Sequence, residues 1–135
     1  MLDIIWDQTY SVNIAEIDLQ HQKIAVLLDV LFEAVEQNRS VSILAEIIQE
    51  LIAYAEYHFE TEENLMRRYQ FPEYIEHKKE HDDFRKKVLQ FQEDLHKKKE
   101  TLASDLIKLM THWLSDHVMN LDKKYGPFLN AKGVF

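Results

Sequence analysis

Apolar residues recur at every third or fourth position along four stretches of the chain. From about Asp18 to Gln37 the stripe is Ile17, Ile24, Leu28, Leu31 and Val35, the spacing of a helix with one buried face. A second stretch, from about Ser42 to Tyr69, carries Leu44, Ile47, Ile48, Leu51, Ala55, Leu65 and Met66 on one side. A third starts just after Pro72 and carries Phe84, Val88, Phe91 and Leu95. A fourth runs from about Leu102 to Asp122 with Leu106, Met110, Trp113 and Leu121. Asn38-Arg39-Ser40, Phe71-Pro72 and Gly126-Pro127 read as breaks, and Asp18 is placed to cap the first helix. Lys97-Lys98-Lys99 suits the end of the third helix, where cations meet the negative pole of the helix dipole. Residues 1–16 show no helical period and read as an extended arm packed through Ile5, Trp6 and Val12. Four helices of about 20 residues with short connections predict an all-α, antiparallel up-down-up-down four-helix bundle. The expected organisation is one domain, with an arm at 1–16, the bundle at 17–123 and a tail at 124–135.

Composition narrows the class. Glycine and proline number two each in 135 residues, far below the usual shares of roughly 7% and 5%, which argues against a hairpin-rich β fold. With 24 acidic and 16 basic residues the net charge is −8. A basic face for nucleic acid is therefore not expected. The absence of cysteine removes disulfides, thiolate metal sites, iron–sulfur clusters and thiol catalysis. No apolar run approaches the roughly 18 residues of a membrane span. The N-terminus carries Asp3 and Asp7 and no basic segment of a secretory signal. These features together predict a soluble, cytoplasmic helical protein.

The seven histidines change the picture. Extending each apolar stripe places His21 on the first, His58 and Glu62 on the second, His77 and His81 on the third, and His117 on the fourth. His112 shares a solvated face with Lys108 and Asp116, and His96, with Glu93, falls at the end of its helix. Asp122 lies five residues after His117, about 140° away on an ideal helix. It reaches the same centre only if that helix ends or widens there. Each buried unpaired polar group costs about 1–3 kcal/mol, against a total stability of about 5–15 kcal/mol. A multivalent cation removes the conflict by accepting the lone pairs. Seven ligands exceed the capacity of one ion. If both carboxylates bridge two ions with an oxo or hydroxo group, three histidines complete one ion. Two then leave the other five-coordinate, with one vacancy. Imidazole with carboxylate suits iron, and an open position on iron invites O₂. Zinc would take fewer ligands.

Taken together, Trp6…Ser11-Val12…Ile17-Asp18-x-Gln20-His21, His58-x-x-x-Glu62, His77-x-x-x-His81 and His117-x-x-x-x-Asp122 resemble the hemerythrin family, in particular its single-domain bacterial members. The likeness runs over nearly the whole chain. It implies a non-haem diiron centre binding O₂ reversibly, end-on as hydroperoxide. His77, His81 and His117 would hold the six-coordinate iron, and His21 and His58 the iron with the vacancy. Glu62 and Asp122 would bridge. The O₂ pocket should be apolar, and Ile24, Phe59, Trp113, Leu114 and Val118 stand one turn from the ligands. Met119 stands where a branched aliphatic residue is common in relatives, placing a flexible, oxidisable thioether at the gate of that pocket. Asp18, Gln20 and Asp83 are near enough to hold the outer N–H of an imidazole, against roles as caps or surface residues. The expected role is O₂ storage, scavenging or delivery to an oxidase, with no catalytic residue. Rival expectations are an O₂ or redox sensor acting through a signalling partner, a diiron peroxidase, oxidase or nitric oxide enzyme, and a metal-free interaction bundle.

Overall fold

The computed structural model describes residues 8–97 and 101–135, without the side chains of residues 40–42. Asp3, Ile5, Trp6 and Asp7 of the expected arm, and Lys98 and Lys99 of the expected cationic helix end, lie outside the described residues. The main elements are α1 (Ala15–Glu36), α2 (Ser40–Arg68), α3 (Tyr74–His96), α4 (Leu102–His112) and α5 (Lys123–Ala131). Between α4 and α5 the chain continues as a widened, π-helical segment, Trp113–Asp122. There is no strand among the described residues, and the fold is an all-α helical bundle. No described helix is long and apolar enough to cross a membrane.

Cross-helix contacts show the direction of each element. Gln20 meets Thr61, whereas Lys23, further along α1, meets Glu50, earlier in α2. Glu63 pairs with His81 while Glu56 pairs with Arg85. His77 lies against His117 while Phe84 lies against Trp113. α2, α3 and α4 therefore each run opposite to the helix before, and α5 continues α4 through the π-helical segment. The turns after α1 and α2 use left-handed residues other than glycine, Asn38 at φ 57° and Gln70 at φ 58°. In each, the next amide reaches back five residues: Arg39 N–H to the Ala34 carbonyl at 2.7 Å, and Phe71 N–H to Met66 at 2.8 Å. Both are Schellman endings, which stop a helix while satisfying its last carbonyls.

Three sequence expectations are corrected here. Helix α1 begins at Ala15, so Asp18 is not its cap. The Asp18 carboxylate instead accepts the Val12 N–H at 2.8 Å and the Ser11 hydroxyl at 2.6 Å. The described part of the arm is not simply extended, because Gln8–Tyr10 form a 3-10 turn. Gly126-Pro127 is no stop, since both lie inside α5 and the expected tail is largely helical. The glycine is required by a close approach. A Cβ at position 126 would sit 2.8 Å from the Val12 carbonyl oxygen. Lacking that Cβ also relieves the clash that a residue before proline suffers in a helix. At the end of α1, Ala34 is buried while Val35 is exposed; a helix wound into a bundle follows a 3.5-residue seam that drifts from a strict 3.6-residue stripe.

The buried apolar residues form two clusters. The larger holds Ile24, Leu28, Leu51, Phe59, Leu106 and Val118, among others. The smaller joins Val12, Ile14, Ile17, Met66, Phe71, Tyr125 and Leu129. Along every long helix the candidate ligands fall where one cluster gives way to the other: His21 between Ile17 and Ile24, His58 and Glu62 between Ala55 and Met66, His77 and His81 between Phe71 and Phe84, and His117 and Asp122 between Leu114 and Tyr125. The bundle is thus an apolar body and an apolar end cap with a polar layer between them.

Candidate metal centre

That layer brings together all seven residues expected from the sequence. His21, His58, Glu62, His81 and Asp122 are fully buried, and His77 and His117 are buried to within 2%. Glu62, His77, His81, His117 and Asp122 each offer a donor atom within 4.8 Å of the others, and His21, His58, Glu62 and Asp122 form a second such group. The two groups share both carboxylates. Asp122 divides its oxygens between them: Oδ1 is 2.8 Å from His77 Nε2 and 3.0 Å from His117 Nε2, while Oδ2 is 2.9 Å from His21 Nε2. Glu62 instead uses one oxygen for both, with Oε1 lying 2.6 Å from His58 Nε2 and 3.5 Å from His81 Nε2.

These are not ordinary hydrogen bonds. The Nε2 atoms of His58, His77, His81 and His117, both oxygens of Asp122 and Oε1 of Glu62 are buried without a hydrogen-bond partner among the described residues. The donors approach each other closely but are not aligned along a shared proton. A cation explains the pattern. Donors about 2.1 Å from one ion and at right angles to each other stand about 3 Å apart, with their lone pairs aimed at the ion and not at one another. The residues present therefore fit a metal site.

The widened helix is what admits Asp122. In a regular helix it would diverge from His117 by about 140°. Across the π-helical segment Trp113–Asp122, bonding from i to i+5 brings residues five apart onto one side. Leu121, which the regular period aims at the core, is only half-buried.

Outer partners fix which nitrogen of the ring faces inward. His58 Nδ1 donates to Gln20 Oε1 at 2.6 Å. The Gln20 amide nitrogen donates to Thr61 Oγ1 at 3.3 Å, and the Thr61 hydroxyl donates to the Tyr57 carbonyl at 3.1 Å. This chain orients the amide, places the ring proton on Nδ1 and leaves the Nε2 lone pair for the centre. His81 Nδ1 donates to Glu63 Oε2 at 2.8 Å, and Arg85 lies against Glu63 at 3.5 Å. The Tyr125 hydroxyl donates to Glu62 Oε2. Of the three outer partners considered from sequence, Gln20 fills the role. Asp18 ties down residues 11 and 12, and Asp83 is exposed. Glu63 and Tyr125 were missed. The signal for Tyr125 was the helical period carried three residues past Asp122, hidden by the false stop at Gly126-Pro127.

Buried carboxylates and imidazoles shift each other. Burial pushes Glu62 and Asp122 up, and Asp122 also repels Glu62, but the surrounding imidazoles outweigh these effects and hold the two acids below the usual carboxylate range. Burial pushes His81 down, yet Glu62 and Glu63 outweigh it and raise it from 6.5 to about 9. His21 is also raised, with Asp122 outweighing burial. His58 is lowered, because burial prevails over Glu62. A raised imidazole stabilises the fold fully below its unfolded value and loses that contribution as pH rises through the folded value. The metal-free protein is therefore expected to melt at progressively lower temperature between pH 6.5 and about 9, the His81 window, whereas the lowered His58 acts below pH 6.5 and outside that window. The metal-loaded protein should not follow it, because ligands must be deprotonated to bind. Melting curves at matched pH, with and without chelator, check this; parallel slopes would contradict it.

The apolar residues expected beside the site divide. Phe59 stacks on His81 with centroids 3.9 Å apart, and Trp113 stacks on His117 at 3.7 Å. Ile24, Leu114 and Val118 are buried in the same cluster as both rings. Met119 is half-buried and belongs to neither cluster. His112 is exposed and pairs with Asp116 at 3.0 Å, as a surface histidine.

The fold and the centre define a class, a helical bundle whose core carries a histidine–carboxylate cluster suited to cations. Residues 12–129 match the hemerythrin HHE cation binding domain, and the chain belongs to the hemerythrin family. A bacteriohemerythrin of Pseudomonas paraeruginosa is 32% identical over 127 residues, covering 93% of this chain and 80% of its own length. A bacteriohemerythrin of Clostridium acetobutylicum is 26% identical over 125 residues, covering 90% and 97%. A hemerythrin-like protein of Naegleria gruberi is 29% identical over 120 residues, covering 89% and 88%.

Proposed function

We propose that this protein binds O₂ reversibly at a pair of iron ions, for storage, scavenging or delivery. The observation that carries the reading is the asymmetry of the two donor groups, five side chains in one and four in the other, with Glu62 and Asp122 common to both. His77, His81 and His117 would hold one iron, His21 and His58 the other, and the two carboxylates both. The group with fewer donors leaves room for an outside ligand. Neutral imidazole with carboxylate favours iron, and membership of the hemerythrin family supports the choice.

When bound, two ferrous ions supply the two electrons that O₂ takes up on binding and returns on release. The protein's own residues do the rest. Gln20 and Glu63 keep the protons of His58 and His81 on the outer nitrogens. Ile24, Phe59, Leu114 and Val118, all buried, exclude water from the layer. An apolar surround favours a neutral diatomic ligand over water and limits the proton supply that would drive irreversible reduction. The test is the visible absorption spectrum of the iron-loaded protein cycled between deoxygenated buffer and air. Colour that appears in air, bleaches on O₂ removal and returns supports a carrier. Colour that appears once and never bleaches would sink it.

A further inference from the structure

Two buried tyrosines border the polar layer, and they differ in one respect. Tyr54 stacks on His58 with centroids 5.0 Å apart, and its hydroxyl has no hydrogen-bond partner among the described residues. Tyr125 is fully buried, and its hydroxyl donates to Glu62 Oε2. That contact accounts for the unequal behaviour of the two carboxylates. Asp122 spreads two oxygens over the two donor groups, while Glu62 turns Oε1 toward both His58 and His81 and gives Oε2 to the phenol. Tyr125 cannot easily drift away. Its ring lies 5.6 Å from His77 and 6.4 Å from Phe71, and the next residue, Gly126, is seated against the Val12 carbonyl.

We propose that Tyr125 is a positioning residue of the centre, fixing Glu62 through Oε2 and setting how strongly that carboxylate donates to the metals. The inference rests on the diiron reading. A hydrogen bond to a ligating carboxylate withdraws electron density from it. The carboxylate then stabilises ferric iron less, and the reduction potential rises. Removing the phenol O–H does the reverse.

The test measures iron content and reduction potential in the iron-loaded wild type, Tyr125→Phe and Tyr54→Phe. Both substitutions keep the ring and delete one hydroxyl. Tyr125→Phe should retain two irons per chain and shift the ferric/ferrous equilibrium about tenfold toward ferric, a fall of about 59 mV for one electron. Tyr54→Phe should shift it less than about twofold. A second measurement keeps every phenol in place. Replacing all tyrosines by 3-fluorotyrosine, whose more acidic phenol donates more strongly, should raise the potential in the wild type and not in Tyr125→Phe. Equal shifts in the two Phe variants, an unchanged potential in Tyr125→Phe, or loss of iron from it would each overturn the proposal. A wild type that does not take up two irons overturns the diiron reading as well, which separates the two failures.

Discussion

Stripping iron from the loaded protein is expected to lower its melting temperature by about 15 °C. The polar layer is the reason. Seven buried side chains point donor atoms at a common region, and the Nε2 atoms of His58, His77, His81 and His117, with both oxygens of Asp122, have no hydrogen-bond partner among the described residues. Without a cation the layer must recruit protons or hold like-charged acids apart, and each choice leaves desolvated groups poorly compensated. A ligand present at about 1,000 times its dissociation constant stabilises the folded state by about 4 kcal/mol. For a chain of this size each kcal/mol moves the transition by about 4 °C. Calorimetry with and without chelator reads the difference directly. Superimposable curves would return the protein to the class of metal-free interaction bundles.

Replacing Asp122 by alanine should reduce bound iron from two per chain to one or none and abolish the colour change in air. Its two oxygens do different things, Oδ1 facing His77 and His117 and Oδ2 facing His21. Asp122 and Glu62 are the two carboxylates grouped with His21 and His58. The variant loses a ligand from each group at once. Replacing Asp116, an exposed residue paired with His112 on the same helical face, should leave the iron content at two. Elemental analysis of both variants decides the matter, and an Asp122→Ala protein that retains two irons would refute the shared-carboxylate arrangement.

The centre was legible in the sequence because helical periodicity is a strong signal and a histidine on an apolar stripe is conspicuous. His21, His58, His77, His81 and His117 each continue a run of buried positions, and the structure buries all five. Asp122 was harder, being out of phase on a regular helix. Its inclusion turned on widening of the helix between 113 and 122, which the structure shows. Features governed by tertiary contact were read poorly. Gly126 looks like a terminator, but its purpose is to admit the Val12 carbonyl. Asp18 looks like a cap, but its oxygens belong to Ser11 and Val12. Met119 is placed at the pocket by the resemblance alone, and in the structure it is half-buried. Glu63 stood beside an obvious ligand and was passed over, because its meaning depends on His81 and Arg85 in another helix.

The donors of the centre come from all four long helical stretches, at positions from 21 to 122. No fragment of the bundle holds a full set. On the diiron reading, tight iron binding would be a property of the assembled molecule alone, and the metal would act as an inspector of its own container. A chain with one helix undocked would not retain its iron, and it would open to proteases more often than a loaded one. In a mixed population the iron-bearing molecules are the correctly assembled ones, so resistance to digestion and metal content should rise and fall together.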